Sequence, residues 1–372
     1  MHKNKKILLL YITLNSGHHR ASCAIENALK DISPSIETLN INAFVYTNPI
    51  FEKIINRTYM TVIKNRPEVW DYLYDNPKVL KSVQGLRDVI HKHNSKKLKN
   101  LLEDFKPDVC VCTQAFPCGM IADYKKNLKL DLPLLGVLTD NAPHSYWIFE
   151  DVDYYIVPSD RSKKQFVKNG VPEKKIKDFG IPIDPRFKIG HNKDEICKTL
   201  GLNPMLPTVL IMGGSQGLGP VESVLDILEY LEVSFQIAVV CGSNDKLKNT
   251  LIKKSQRYKR RLCVFGLINN IDELMEVSSI VITKPGGLTT SEALSKGLPM
   301  MIVNPLPGQE QKNTQYLLDA GVAVKADDRE DIATLLQELL LSTTKLEEMK
   351  TQTEKLKKPN SAIDTANLII SL

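Results

Sequence analysis

No apolar run in this sequence is long enough to cross a bilayer: Ile7 to Ile12 falls far short of the roughly 20 residues that a spanning helix needs, and no later segment does better. The order of the first residues, Lys3-Asn4-Lys5-Lys6 before Ile7-Leu8-Leu9-Leu10, is that of a secretory signal, but no small-residue cleavage site follows. A first β-strand is the better reading. Cysteines number seven, an odd count, and the closest pair, Cys110 and Cys112, lies in an apolar stretch where a free thiol behaves as a small hydrophobe. No second Cys/His pair supplies the other half of a zinc site. Neither disulfides nor a metal is therefore expected, and the compartment implied is reducing and cytosolic. Aromatic residues are not interleaved with the basic clusters and no nucleic-acid motif is present, which excludes nucleic acid as the expected partner. Pro/Gly-rich and single-residue tracts are also missing, so the whole chain is expected to fold.

What is present is an ordinary globular composition, 42% hydrophobic and 25% charged over 372 residues, with a net charge of +6. That length fits two domains of about 150 to 190 residues each. Short β-rich apolar runs alternate with segments of helical period, the pattern of parallel sheets with crossover helices, and the class is α/β. The expected strands are 6–13, 36–43, 108–114, 134–139 and 154–158 in the first half. In the second they are 208–212, 236–241, 262–265, 279–283, 300–303 and 322–325. Phe179-Gly180-Ile181-Pro182-Ile183-Asp184-Pro185 breaks regular structure and marks the join, giving domains 1–185 and 186–372. From Asp331 the chain reads as helical to its end, interrupted at Pro359. The insertion 49–103 is too long for a simple crossover. It mixes Phe51, Ile54, Ile55, Tyr59, Trp70, Tyr72 and Tyr74 with basic residues, which suits either a helical subdomain or a surface lying on lipid headgroups. Lysines and arginines cluster at 92–99, 163–168 and 253–261. Each cluster is a solvated helix face or, more interestingly, a contact for an anionic membrane, where each cation contributes about 1 kcal/mol.

Three loops stand where chemistry is expected, at strand ends that enter helices. The first is Asn15-Ser16-Gly17-His18-His19-Arg20-Ala21. Its His18 is either a polar surface residue or a base working near neutral pH. The second, Gly213-Gly214-Ser215-Gln216-Gly217-Leu218-Gly219-Pro220, is not a Walker loop, since no Lys-Ser/Thr closes it. It is a tight turn or a diphosphate cradle. The third runs Thr283-Lys284-Pro285-Gly286-Gly287-Leu288-Thr289-Thr290-Ser291-Glu292. Thr289 and Glu292 have capping-box spacing, so Glu292 either caps the helix or accepts hydrogen bonds from a ribose diol. A polar cluster, Gln309-Glu310-Gln311-Lys312-Asn313, follows at a further strand-to-helix junction.

With these motifs the chain resembles the enzymes that glycosylate diacylglycerol, the plant-type monogalactosyldiacylglycerol synthases and the bacterial processive diacylglycerol glucosyltransferases. Their C-terminal domain is shared with the N-acetylglucosaminyltransferase of peptidoglycan synthesis. The resemblance runs from His18 to about Val324 and includes Phe265-Gly266-Leu267, Thr139-Asp140 with His144 and Trp147, and the segment Tyr59 to Tyr74. It implies a GT-B fold, two Rossmann-like domains facing a central cleft, with the C-terminal helix returning to the N-terminal domain. It implies that Gly214 and Ser215, with Gln216 and Gly217, hold the donor phosphates, alongside Lys284, Gly286, Gly287 and Thr289. Phe265 and Leu267 would flank the uracil, Glu292 would bind the ribose, Gln309 and Glu310 the sugar hydroxyls, and Asn313 would support them.

His18 matches the family's Gly-x-Gly-His histidine and is the expected acceptor base in an inverting transfer from a UDP-sugar to a lipid hydroxyl such as that of diacylglycerol, with Asp140 and His144 as rivals. No cofactor and no divalent cation is implied, and the enzyme would sit peripherally on the inner face of the cell membrane. Asn15 departs from the family, which has a glycine there. Rival readings are a UDP-sugar epimerase or hydrolase, transfer to a polyprenyl-linked acceptor, and a non-catalytic sugar-nucleotide-binding protein.

Overall fold

The computed structural model describes residues 4–47, 97–141, 145–217 and 219–372. Most of the insertion, residues 48–96, and His144 lie outside them. The chain forms two compact units. Unit 1 comprises Met1–Pro185, Leu306–Gln309 and Asn360–Leu372; unit 2 comprises Arg186–Pro305 and Glu310–Pro359.

Unit 1 is built on a six-stranded sheet of β1 (Lys6–Tyr11), β2 (Glu37–Asn42), β3 (Val109–Cys112), β4 (Leu134–Val137), β5 (Tyr154–Ile156) and β6 (Ile176–Lys177). The spatial order is β2-β1-β3-β4-β5-β6 and every pairing is parallel. Alternation along each strand supplies both faces. Ile7 and Leu9, with Val109, Val111, Leu135 and Val137, pack under the helices Gly17–Ile32 and Ser361–Ser371. Leu8 and Leu10, with Cys110 and Cys112, pack on the other face against Leu98, Leu101, Cys118 and Ile121. All seven cysteines are free, and Cys110, Cys112 and Cys118 fill this core as small hydrophobes.

The C-terminal helix belongs to unit 1, as the family resemblance implies. Ala362, Ala366 and Ile369 meet Ala24, Ala28 and Leu29 in one cluster. Lys5 Nζ donates to Ile370 O at 2.8 Å, and Ile183 N to Ser361 Oγ at 3.2 Å. The helical tail has one more break than expected. Arg329–Leu341 ends at Ser342, whose side chain caps the next helix, Thr343–Leu356, by accepting from Lys345 N.

Unit 2 carries β7 (Thr208–Met212), β8 (Gln236–Val240), β9 (Leu262–Phe265), β10 (Ile280–Thr283), β11 (Met300–Val303) and β12 (Ala323–Ala326), in the order β12-β11-β10-β7-β8-β9 and again parallel. β7, β8, β10 and β11 are buried throughout, as strands covered on both faces must be.

Both sheets reverse direction beside their first strand. β1 has β2 on one side and β3 on the other, and β7 has β8 on one side and β10 on the other. Loops leaving such a pair of strands diverge to opposite faces and open a crevice at their carboxyl ends. In unit 2 the loop after β7 packs directly on the loop after β8. Ser243 N donates to Ser215 O at 2.9 Å, and Asn244 Nδ2 donates to Gly217 O at 3.5 Å. A Cβ on Gly217 (φ +58°) would stand 2.1 Å from Cys241 O, and one on Gly242 (φ +57°) 2.3 Å from Ser215 O. At Gly214 (φ +72°) a Cβ would meet nothing within 4 Å. Gly214→Ala is therefore expected to cost only the left-handed backbone penalty, about 1–2 kcal/mol, whereas Gly217→Ala must also force the two loops apart and cost clearly more. Urea melts of the two variants would check this, and equal losses would refute the packing argument.

Candidate active site

In unit 1 the chain leaves β1 through a loop in which Thr13 (φ +61°) and Asn15 (φ +60°) are left-handed. Asparagine is among the side chains that adopt this conformation at least cost, so Asn15 takes the backbone shape that a glycine would take. Ser16 then caps the helix Gly17–Ile32. Its hydroxyl accepts from His19 N at 3.3 Å and donates to Thr13 O at 2.6 Å.

The cap places His18 in the first turn, half-buried, where the ends of three adjacent strands meet. His18 Nδ1 lies 2.9 Å from Thr113 O, just past β3, and 2.8 Å from Thr139 Oγ1, just past β4. Thr113 Oγ1 donates back to His18 O at 2.9 Å. A carbonyl only accepts, so Nδ1 carries the hydrogen and the lone pair sits on Nε2. Burial pushes the His18 pKa from 6.5 down to about 4, opposed by the hydrogen bond to Thr113, and the ring is neutral at physiological pH.

His19 is occupied structurally. Asn15 N donates to its Nδ1 at 3.2 Å, and its ring lies 4.4 Å from that of Tyr11. Asp140 follows Thr139 directly and is half-buried. Thr113, and the close approach of Thr139 Oγ1 to Nδ1, were not anticipated from sequence. Each is a single threonine at a strand end, and nothing in its spacing relates it to His18.

Unit 2 gathers the second and third loops at the ends of β7 and β10. Thr283 Oγ1 donates to Met212 O at 3.1 Å, and the stem of Lys284 passes 3.8 Å from the position of a Cβ on Gly219. Within the second loop Ser215 is half-buried and Gln216 exposed, with Gly217 N donating to Gly214 O at 3.1 Å. Met212, Gly213, Gly219 and Lys284 line one small cavity, and glycine amides beside a lysine are a composition suited to a diphosphate.

The capping-box alternative for Glu292 does not hold. The helix Gly287–Ser295 starts earlier than that spacing requires, its N-cap is Gly286 without a side-chain bond, and Thr289 already lies inside it. Glu292 is instead buried within the helix at 2% exposure. Gln309 and Glu310 open the helix Gln309–Asp319, and the buried Asn313 on that helix donates from Nδ2 to Pro285 O at 3.0 Å, tying it to the Lys284–Gly286 loop. Phe265 ends β9 half-buried, and Leu267 two residues on is 66% exposed.

Two family models divide the chain. Monogalactosyldiacylglycerol (MGDG) synthase matches residues 18–183, and the glycosyltransferase family 28 C-terminal domain matches residues 208–366. A processive diacylglycerol beta-glucosyltransferase of Bacillus cytotoxicus is 32% identical over 100% of this chain and 94% of its own length. The protein of the same name from Bacillus pumilus is 31% identical over 94% of this chain and 90% of its own.

Among solved structures, the MurG of Acinetobacter baumannii superposes with a TM-score of 0.62 at 15% identity, covering 99% of this chain and 100% of that one. The MnaA of S. aureus with UDP gives 0.63 at 13%, covering 98% and 96%. At such identities these two likenesses speak for the GT-B fold alone. From the two family models and the full-length relatives, the chain belongs to the family of monogalactosyldiacylglycerol synthases and processive diacylglycerol glucosyltransferases, GT-B glycosyltransferases that make glycolipids.

Proposed function

We propose that this enzyme moves a hexosyl group from a UDP-sugar to the hydroxyl of a lipid acceptor of the diacylglycerol type, with inversion, and that His18 is the base. The observation that carries the proposal is the 2.9 Å approach of His18 Nδ1 to Thr113 O, from which the tautomer follows. With Nδ1–H engaged by Thr113 O, Nε2 is a permanent acceptor at the strand ends of unit 1. Nε2 takes the proton of the acceptor hydroxyl as its oxygen attacks the anomeric carbon, and the bond from that carbon to the diphosphate breaks. General-base help of this kind is typically worth about a hundred- to ten-thousand-fold.

The charge left on UDP is met by the amides of the 213–219 loop and of the helix start at Gly287, with Lys284 beside them. Gly214, Ser215, Gln216 and Gly217 are assigned to the diphosphate, with Lys284, Gly286, Gly287 and Thr289 beside it. Phe265 and Leu267 are assigned to the uracil and Glu292 to the ribose. Gln309 and Glu310 take the sugar hydroxyls, with Asn313 holding that helix in place. Asp140 and His144 remain the rival bases.

Unit 1 is assigned the acceptor and an anionic membrane surface, unit 2 the donor. Among the described residues no helix is long and apolar enough to cross a membrane, which is compatible with peripheral attachment to the inner face of the cell membrane. The aromatic and basic composition of residues 49–103 supports the same reading.

The defining test is incubation with a panel of UDP-sugars and anionic vesicles containing diacylglycerol, against vesicle-free controls. Free UDP together with a new glycolipid is expected, and UDP release that is indifferent to vesicles would sink the lipid-acceptor reading in favour of hydrolysis or epimerisation. His18→Ala should keep UDP binding and lose transfer by at least about a hundredfold. In the native enzyme the neutral imidazole predicts that kcat/KM has no acidic limb from His18 near its ordinary 6.5 and declines only as the pH falls toward about 4. A limb at the ordinary value would contradict the burial seen here. Glu292→Ala should weaken UDP binding measured by calorimetry, and a lower melting temperature with unchanged affinity would remove it from the donor site.

A further inference from the structure

Thr139 stands two residues past β4, 5% exposed, with its hydroxyl oxygen 2.8 Å from Nδ1 of His18. The strand end that carries it is fixed from both neighbours in the sheet. Gly136 pairs with Cys112 of β3 and with Tyr155 of β5, and beyond it Leu138 N donates to Ile156 O at 2.9 Å.

Donor and acceptor are assigned by the group that has no choice. Thr113 O, 2.9 Å from the same nitrogen, can only accept. A hydrogen on Nδ1 serves that carbonyl and the Thr139 hydroxyl together, whereas a hydrogen on Nε2 would leave two lone pairs facing each other at 2.9 Å. Nδ1–H is therefore shared between a carbonyl past β3 and a hydroxyl past β4, and Thr139 Oγ1 accepts. The two threonine hydroxyls differ in what they hold. Thr113 Oγ1 donates to His18 O at 2.9 Å and fastens the backbone of the turn, while Thr139 Oγ1 addresses the ring.

A contact to the ring matters most when the ring is charged. As Nε2 takes a proton the imidazole becomes a cation, and hydrogen bonds from Nδ1–H become charge-assisted, roughly twice as strong as neutral ones. An interaction that strengthens along the reaction lowers the barrier without tightening the binding of substrate. Two acceptors on different strands also fix the ring plane and so the direction of the Nε2 lone pair. A carboxylate does both for the histidine of a catalytic triad.

We infer that Thr139 is a positioning residue for the transfer, its hydroxyl accepting from Nδ1–H of His18, aiming Nε2 at the acceptor hydroxyl and stabilising the imidazolium formed when that hydroxyl gives up its proton. The inference rests on the reading of His18 as the base. Thr139→Val keeps the shape of the side chain and removes the oxygen, and Thr139→Ser keeps the oxygen.

The experiment measures kcat and KM of the full-length protein on diacylglycerol-containing anionic vesicles, with the UDP-sugar that the donor panel selects and with UDP affinity and melting temperature alongside. Thr139→Val should lower kcat about tenfold or more, the size of a hydrogen bond to a charged group, with donor KM, UDP affinity and melting temperature unchanged. Thr139→Ser should restore most of the rate. In a His18→Ala background Thr139→Val should change nothing further, because its effect passes through the ring. An undiminished kcat in Thr139→Val would overturn the inference, as would a loss that Thr139→Ser fails to restore, which would leave only packing. A second loss of the same size on top of His18→Ala would overturn it by showing that Thr139 acts without the imidazole. Undiminished transfer by His18→Ala alone would instead bring down the reading of His18 as the base, and the inference with it.

Discussion

A peptide carbonyl cannot donate a hydrogen, and the chemistry proposed for unit 1 rests on that constraint at Thr113. Its oxygen holds Nδ1 of His18, so the free lone pair can be nowhere but Nε2. The constraint is delivered by the sheet. β1 and β3 pair with Leu10 opposite Cys112, Thr113 N continues the ladder by donating to Leu10 O at 3.0 Å, and the next carbonyl stands beside the helix that leaves β1. A slip of one residue would turn side chains to the opposite face and take that carbonyl away from the imidazole. The protonation state of a proposed base is in this way a consequence of strand register.

Unit 2 uses the same topology for the opposite purpose. Where unit 1 places an imidazole after its first strand, unit 2 places glycines, and the chain closes so tightly on the neighbouring loop that Gly217 and Gly242 have no room for a Cβ. In the donor role proposed for this loop, backbone amides replace a side chain as the working groups, and packing holds them in place. In the proposed reaction the two units divide the labour between a movable proton and fixed dipoles.

Much of this was legible in the sequence. The bounds of β7 and β11 coincide with the apolar runs read there, because strands buried on both faces are written as unbroken hydrophobic segments, and those of the half-buried edge strand β9 coincide as well. β6 escaped because two residues carry no period. The Thr289/Glu292 pattern matched a capping box, but the helix start is set by where β10 delivers the chain, and Gly286 reaches that point first. Thr113 and Thr139 could not be identified from spacing, since what joins them to His18 is the adjacency of β1, β3 and β4 across long stretches of sequence. Asn15 was visible as a departure from the family, and only the backbone angle showed that it adopts a left-handed conformation open to glycine.

The return of Ser361–Ser371 to unit 1 has a consequence for biosynthesis. The sheet of unit 2 and the helices after it leave the ribosome before the segment that covers Ala24, Ala28 and Leu29 has been made. The N-terminal half must therefore wait with one face of its first helix uncovered while the later half is already able to close. The order of synthesis and the order of completion are reversed, and a segment translated after unit 2 finishes unit 1.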